Sequence, residues 1–217
     1  MSSTRRPGKV LFPVAGTPLL GHLIARLRLC SELDDVRIAT SDRPDDAPIA
    51  AFAESIGVPV FRGSLDDVSG RYLAAATGAG LDAFVRVTGD SPLLDPALVD
   101  RAVATYRIGD ADLVTNVLVR TFPRGQSVEV VNLAAYREHY RTMREAADLE
   151  HVTRALYARL DRLRVVSFTS GMPWGEIQLS VDTPDDLARF EAIVARMTRA
   201  PETYGLAEVI DLQADLP

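Results

Sequence analysis

The sequence predicts an α/β fold built on a mostly parallel sheet covered by helices on both faces. Short apolar, β-rich runs alternate with helical patterns from residue 18 to residue 115, the order that βαβ units produce. Several of these runs end in a turn or an aspartate just ahead of the next helix. The chain has 217 residues, 47% hydrophobic and 25% charged, enough to bury one core without disulfides or a structural metal.

The elements follow in order. Residues 18–30 read as a helix with one apolar face, Leu19, Leu20, Leu23, Ile24 and Leu27, with Thr17 as N-cap and Pro18 at the first helical position. Residues 36–39 form a short strand, 41–48 a polar loop, and 49–56 a helix closed by Gly57. A strand at 58–61 precedes a helix at 68–77. A strand at 83–87 ends in the turn Thr88-Gly89-Asp90. A helix at 96–108, capped by Asp95, leads to a strand at 112–115.

The pattern then changes. Residues 127–131 read as a strand and 133–160 as mostly helical, rich in arginine and tyrosine. Strands are predicted at 163–168 and 177–181, then an amphipathic helix at 184–197 and another at 206–212. With no repeat, low-complexity tract or linker, residues 1–217 read as one domain with an excursion at about 120–160. The beginning is unusual. Such a domain normally opens with a buried strand, whereas this chain opens with the polar segment Ser2-Ser3-Thr4-Arg5-Arg6-Pro7-Gly8-Lys9.

Composition narrows the function. The formal net charge is −6, so there is no overall basic field for nucleic acid. A single cysteine, Cys30, predicts a reducing compartment. No apolar run reaches the ~18 residues of a membrane span, and no secretory signal opens the chain; a cytoplasmic location is expected. Of the 24 basic residues only Lys9 is a lysine. In a chain that uses arginine for generic positive charge, that position calls for a compact ammonium.

Three segments carry chemistry. The first, residues 2–9, combines hydroxyls, arginines, a glycine and Lys9, the residue types that recognise anions, although the same composition also suits a solvated basic tail. It lacks Walker A spacing. The second, residues 88–96, places Asp90 at the carboxyl end of a strand, where open α/β sheets bind ligands. The third, residues 181–187, ends a strand in Asp182, while Thr183 to Asp186 serve the start of the next helix. Two strand-end aspartates, Asp90 and Asp182, suit a shared divalent metal. His22 and His139 read as packing or surface residues; His151, beside Glu150 and Thr153, is the more suggestive histidine. No Ser-His-Asp, Cys-His or zinc-ligand arrangement is supported.

At these motifs the sequence resembles the acylneuraminate-type cytidylyltransferases, and within them the spore coat polysaccharide biosynthesis branch. The resemblance runs through S-S-T-R-R-P-G-K-V-L (2–11), A-G-T-P-L-L (15–20), A-T-S-D-R-P-D-D (39–46) and V-P-V-F-R-G-S-L-D-D-V-S-G-R (58–71). It continues through R-V-T-G-D-S-P-L-L-D-P (86–96), E-H-V-T (150–153) and V-D-T-P-D-D-L (181–187). It implies a Rossmann-like mixed sheet of the nucleotide-diphospho-sugar transferase type. It implies transfer of CMP from CTP to a sugar, usually an acidic keto-sugar, with pyrophosphate released and Mg²⁺ required. By motif, Arg5 and Lys9 would contact the triphosphate, with Ser3 in the same nucleotide-binding loop, and Asp90 and Asp182 would hold the metal. Ser41, Asp42 and Arg71 would shape the nucleotide or sugar pocket. Residues 120–160 correspond to the region through which relatives dimerise, and Tyr136, Tyr140 and Tyr157 among arginines suit an interface.

The resemblance also implies a strand and a Gln-Ala-Arg stretch ahead of the serine-rich loop. Met1 stands immediately after the place of that arginine, so the sheet is expected to lack its first strand. A start assigned too far downstream and a degenerate copy both explain this. Arg6 replaces the apolar residue usual between the loop's arginine and proline. The alternatives to cytidylyl transfer are a sugar-1-phosphate nucleotidyltransferase of the same fold and a truncated, non-catalytic partner protein.

Overall fold

The computed structural model describes residues 8–216. Ser3 and Arg5 lie outside the described residues. The described residues begin with a 3-10 turn, Lys9–Leu11, and a short hairpin of β1 (Pro13–Val14) and β2 (Thr17–Pro18). Helix α1 (Leu19–Leu27) follows. Thr17 is therefore in a strand rather than at the N-cap, a place taken by Pro18. The hairpin's pairing claims the residue that local propensity assigns to the helix start.

Strand β3 (Ile38–Ser41), α2 (Ala47–Ser55), β4 (Val60–Gly63) and α3 (Val68–Gly78) come next. After them run β5 (Ala83–Arg86), α4 (Pro96–Arg107), β6 (Leu113–Thr115) and β7 (Glu129–Asn132). Then follow α5 (Leu133–Tyr140), α6 (Ala146–Glu150), α7 (Arg154–Tyr157) and β8 (Val165–Ser167). Helices α8 (Pro184–Ala195) and α9 (Leu206–Ala214) close the chain.

The expected helices are present, with ends shifted by a few residues. The sheet is mixed rather than mostly parallel. Strands β3 and β4 pair in parallel. A four-stranded sheet has the order β5-β7-β6-β8, and β7 runs antiparallel to both of its neighbours. It separates β5 from β6, and only β6 and β8 are parallel there. The apolar content of β7 looks the same whichever way the strand runs, so the sequence did not reveal its direction.

Both faces of this sheet are covered. Val114 and Val130 belong to a cluster with Val99 of α4 and Phe190 and Ile193 of α8. Leu113, Val131 and Phe84 point to the opposite face, into a second cluster with Tyr136 of α5 and Leu156 of α7. This is the two-residue alternation of a strand.

The β3–β4 pair and the four-stranded sheet are not hydrogen-bonded to each other among the described residues. Between them lies a cavity of about 190 Å³, bordered by Leu20 and Leu23 of α1, Ile38 and Thr40 of β3, Val87 and Gly89.

Two predicted elements differ. Residues 133–160 break into α5, α6, α7 and a 3-10 turn at Leu160–Arg162. Burial of Met143, Val152 and Leu156 in the second cluster turns the chain where intrinsic propensity would continue a helix. Residues 177–181 form no strand, only an isolated parallel bridge between Gln178 and Arg124. Gly125, at φ 92°, bends its own chain closely over the backbone of Leu179 and Ser180, and no regular ladder continues. No helix among the described residues is long and apolar enough to cross a membrane.

Candidate active site

The lone lysine meets Asp90, which follows β5, and Asp182, which precedes α8 without a strand before it. Gly8, at φ 76°, leads into the turn that begins at Lys9. From there Lys9 Nζ donates to Asp90 Oδ2 at 3.1 Å, Asp182 Oδ1 at 3.1 Å and the Val181 carbonyl at 2.9 Å. The lysine side chain is 10% exposed, and the aspartates are 26% and 34% exposed. The three groups thus form a half-buried charge cluster at the mouth of the sheet, with two negative charges facing one positive charge.

Local structure positions each member. Asp90 follows β5, and its carbonyl accepts from the Val181 N–H at 2.8 Å. That bond ties the two aspartate-bearing segments together. Asp182 precedes α8, which begins with a reciprocal capping box between Thr183 and Asp186. Asp186 Oδ2 accepts from the backbone N–H groups of Asp182 at 3.1 Å and Thr183 at 2.9 Å and from the Thr183 hydroxyl at 2.8 Å. Asp186 therefore fixes the backbone from which Asp182 projects. The expected caps at Asp95 and Thr183 are both formed.

Ser41, Asp42 and Arg71 lie on the other side of the cavity. The Ser41 hydroxyl is buried and donates to Asp46 Oδ2 at 2.6 Å. Asp46 also accepts from Thr40 Oγ1. Ser41 thus stiffens the end of β3, while the adjacent Asp42 is exposed and its N–H donates to the Gly63 carbonyl at 2.8 Å. Arg71 lies against Gly63 and donates from Nη1 to the Ser64 carbonyl at 2.7 Å. Burial lowers its pKa, with Tyr72 and Asp42 opposing that shift. Arg71 Nε is buried without a hydrogen-bond partner. The cavity is lined by Thr40, Tyr72, Val10 and Gly89, sequence neighbours of Ser41, Arg71, Lys9 and Asp90, but by none of the expected site residues themselves.

Sequence reasoning missed a buried network beside the cluster. Arg86 Nη1 donates to Glu129 Oε2 at 2.6 Å, and Tyr157 donates to Glu129 Oε1 at 2.6 Å. The hydroxyls of Thr115 and Tyr157 lie 2.7 Å apart. Burial together with the neighbouring Glu129 charge pushes the Tyr157 pKa far up. A charged residue inside the apolar run S-V-E-V-V was the available signal, because a carboxylate enters such a strand only with partners.

This network alters the account of the tyrosines. Tyr136 is fully buried, Tyr140 donates to Asp67 Oδ2 at 2.6 Å, and Tyr157 bonds Glu129. All three have partners within their own chain; Tyr136 is buried, while Tyr140 and Tyr157 stay partly exposed. Among the histidines, His22 is buried on Val14 and Phe190, His139 contacts the Ala135 carbonyl, and His151 is exposed.

The two carboxylates converge on one cation, the Lys9 ammonium, and such a pair has the donor chemistry that could hold a hard divalent ion. Among the described residues no three Asp, Glu, His or Cys side chains cluster. A metal at this place would take its other ligands from substrate oxygens and water, as Mg²⁺ commonly does. The arrangement is that of an enzyme acting on a polyphosphate at the carboxyl edge of an α/β sheet.

Comparison with known proteins agrees. A cytidylyltransferase from Leptospira borgpetersenii superposes with a TM-score of 0.92 at 28% identity, over 98% of this chain and 89% of that one. A CMP:2-keto-3-deoxy-manno-octonic acid synthetase complexed with CTP gives a TM-score of 0.67 at 18% identity, over 90% and 95% of the two chains. A Mycobacterium tuberculosis protein in complex with manganese gives 0.56 at 20% identity, over 85% and 91%. The fold is therefore that of the nucleotide-diphospho-sugar transferases.

The cytidylyltransferase family profile matches residues 1–174, and the chain belongs to that family. The spore coat polysaccharide biosynthesis protein SpsF of Bacillus subtilis is 30% identical over 221 aligned positions, covering 98% of this chain and 90% of that protein. An uncharacterized protein of Methanocaldococcus jannaschii is 33% identical over 165 positions, 75% of this chain and 66% of its own length.

Proposed function

We propose that this protein transfers CMP from CTP to a sugar, releasing pyrophosphate, and that the acceptor is an acidic keto-sugar destined for a surface polysaccharide. The observation that carries the reading is the convergence of Asp90 and Asp182 on a single cation at the sheet's carboxyl edge. Family membership and the names of the relatives support the nucleotide and the acceptor class.

In this reading an acceptor hydroxyl attacks the α-phosphorus in line. A new P–O bond forms, the bond to the β-phosphate bridging oxygen breaks, and the hydroxyl proton passes to solvent. The protein's task is positioning and charge neutralisation. Asp90 and Asp182 would hold Mg²⁺, which supplies positive charge to the phosphate oxygens. Lys9, with Arg5 and Ser3 of the same loop, would bind the triphosphate. Ser41, Asp42 and Arg71 would form the wall that receives the base or the sugar. A cytoplasmic reaction, with its ready supply of nucleoside triphosphate, fits this reading. Homodimerisation through residues 120–160 belongs to the same proposal, with the partly exposed Tyr140 and Tyr157 still available to it. Light scattering at micromolar concentration tests it.

Pyrophosphate release tests the chemistry. The protein is incubated with CTP, UTP, ATP or GTP and a panel of acidic keto-sugars with Mg²⁺. Release with CTP and one such acceptor, abolished by Asp90→Asn and by Asp182→Asn in folded protein, is expected. Near-normal turnover in either variant at saturating Mg²⁺ overturns the metal assignment. Release only with a sugar 1-phosphate as acceptor moves the protein to the other nucleotidyltransferase class.

A further inference from the structure

Lys9 has three ammonium protons, and its three contacts use all of them: Asp90, Asp182 and the Val181 carbonyl. In this arrangement no Lys9 proton remains for a phosphate, one oxygen of Asp90 is engaged, and both oxygens of Asp182 are, the second by the Ser180 hydroxyl at 3.1 Å. The ammonium therefore engages the carboxylates that the proposed reaction would assign to the metal. We propose that Lys9 is the resident cation of the Asp90–Asp182 pair, and that a divalent ion displaces it only when a triphosphate arrives to receive the ammonium. The inference rests on the nucleotidyltransferase reading above and adds a coupling between metal and nucleotide that passes through one side chain.

The physical argument is one of charge and reach. An ammonium and a divalent cation cannot share two carboxylates at contact distance, because like charges ~4 Å apart repel strongly at a half-buried site. Without nucleotide, metal binding has to break the Lys9 contacts and leave its ammonium with the Val181 carbonyl alone. A triphosphate offers new acceptors on a flexible stem's reach, so the ammonium can leave the carboxylates without losing its partners. Each ligand then strengthens the other's binding by the same factor, as linkage requires. An arginine would not serve this exchange. Its rigid fork suits one fixed bidentate partner rather than three diverging oxygens, and this is consistent with a lysine surviving at this position alone in the sequence.

The single lysine makes the test direct. Lysine labelled with ¹⁵N at Nζ gives one side-chain ammonium resonance, with no assignment needed. Mg²⁺ alone, at concentrations that saturate the nucleotide complex, should leave that resonance in place. CTP and Mg²⁺ together should move it. In parallel, Lys9→Met, its folding verified by thermal unfolding, is titrated with Mn²⁺ in the absence of nucleotide. It should bind Mn²⁺ about tenfold or more tightly than the parent, the factor carried by losing a charge-assisted contact, while its affinity for metal-free CTP falls. If Lys9→Met does not fold, the resonance measurement on the parent protein decides alone. The proposal is overturned by a resonance unmoved when calorimetry shows CTP and Mg²⁺ saturating, or by Mn²⁺ binding no tighter in folded Lys9→Met. Absence of any CTP binding to the parent protein instead overturns the nucleotidyltransferase reading.

Discussion

Arg86 and Glu129 are direct partners in the antiparallel register of β5 and β7, and their side chains close a 2.6 Å ion pair on one face of that ladder. Glu129 is 2% exposed and Arg86 24%. The pair lies four residues before Asp90, so it anchors the strand end that carries a metal-ligand candidate.

Removing the charge of Glu129 tests this anchor. Glu129→Gln should destabilise the fold by about 2–4 kcal/mol, the range for breaking a largely buried pair, lowered because Arg86 keeps access to water. Denaturant unfolding measures it. A loss below about 0.5 kcal/mol, the level of an exposed pair, would show that the network carries no structural load.

Asp186 gives a pH-dependent prediction. Burial alone raises its pKa, but the Thr183 hydroxyl, the Thr183 and Asp182 N–H groups and Arg189 outweigh burial and hold it below the ordinary carboxylate range. A depressed carboxylate contributes stability that is complete above its unfolded-state pKa and is lost as pH falls through the folded-state value. Asp186→Ala should therefore cost ~1–2 kcal/mol at pH 7, as a lost cap does. The gap between parent and variant should narrow as pH drops below about 4, the usual carboxylate value. Thermal melts from pH 7 to pH 3 follow it. A gap independent of pH rejects the ionised cap.

Gly125 is required by both conformation and space. Its φ is 92°, and a Cβ there would lie 2.6 Å from the Ser180 nitrogen and 2.8 Å from the Leu179 carbonyl carbon. These are backbone atoms of the segment leading to Asp182, so they cannot rotate away. Gly125→Ala should lower stability by at least ~1–3 kcal/mol from backbone strain and displace Asp182 from Lys9. Unfolding measurements with a crystal structure of the variant check both effects, and an unshifted 177–182 segment contradicts the second.

Lys9→Arg keeps the charge and changes its shape. In the proposed reaction it should lower kcat/KM for CTP and UTP alike, by about 2–4 kcal/mol in transition-state stabilisation, by analogy with losing one oxyanion donor. The ratio between the two nucleotides should stay nearly constant. A changed ratio without a common loss of rate would assign Lys9 to base recognition instead.

The sequence by itself determined the α/β class, most of the helices and the caps at Asp95 and Thr183, because these follow from local periodicity and local hydrogen bonding. It also singled out Lys9, Asp90 and Asp182, through composition and through their places at strand ends and in family motifs. Tertiary structure decided what those residues do to one another. Lys9 and Asp182 are 173 positions apart, and no local rule brings them to 3.1 Å. The direction of β7, the break-up of residues 133–160 and the partners of the three tyrosines were likewise settled by packing, since an apolar strand reads alike in both directions and a tyrosine in sequence does not reveal its partner. Glu129 marks the boundary between the two: its charge within an apolar strand is visible in the sequence, whereas Arg86 and Tyr157, which make its burial affordable, are brought to it only by the fold.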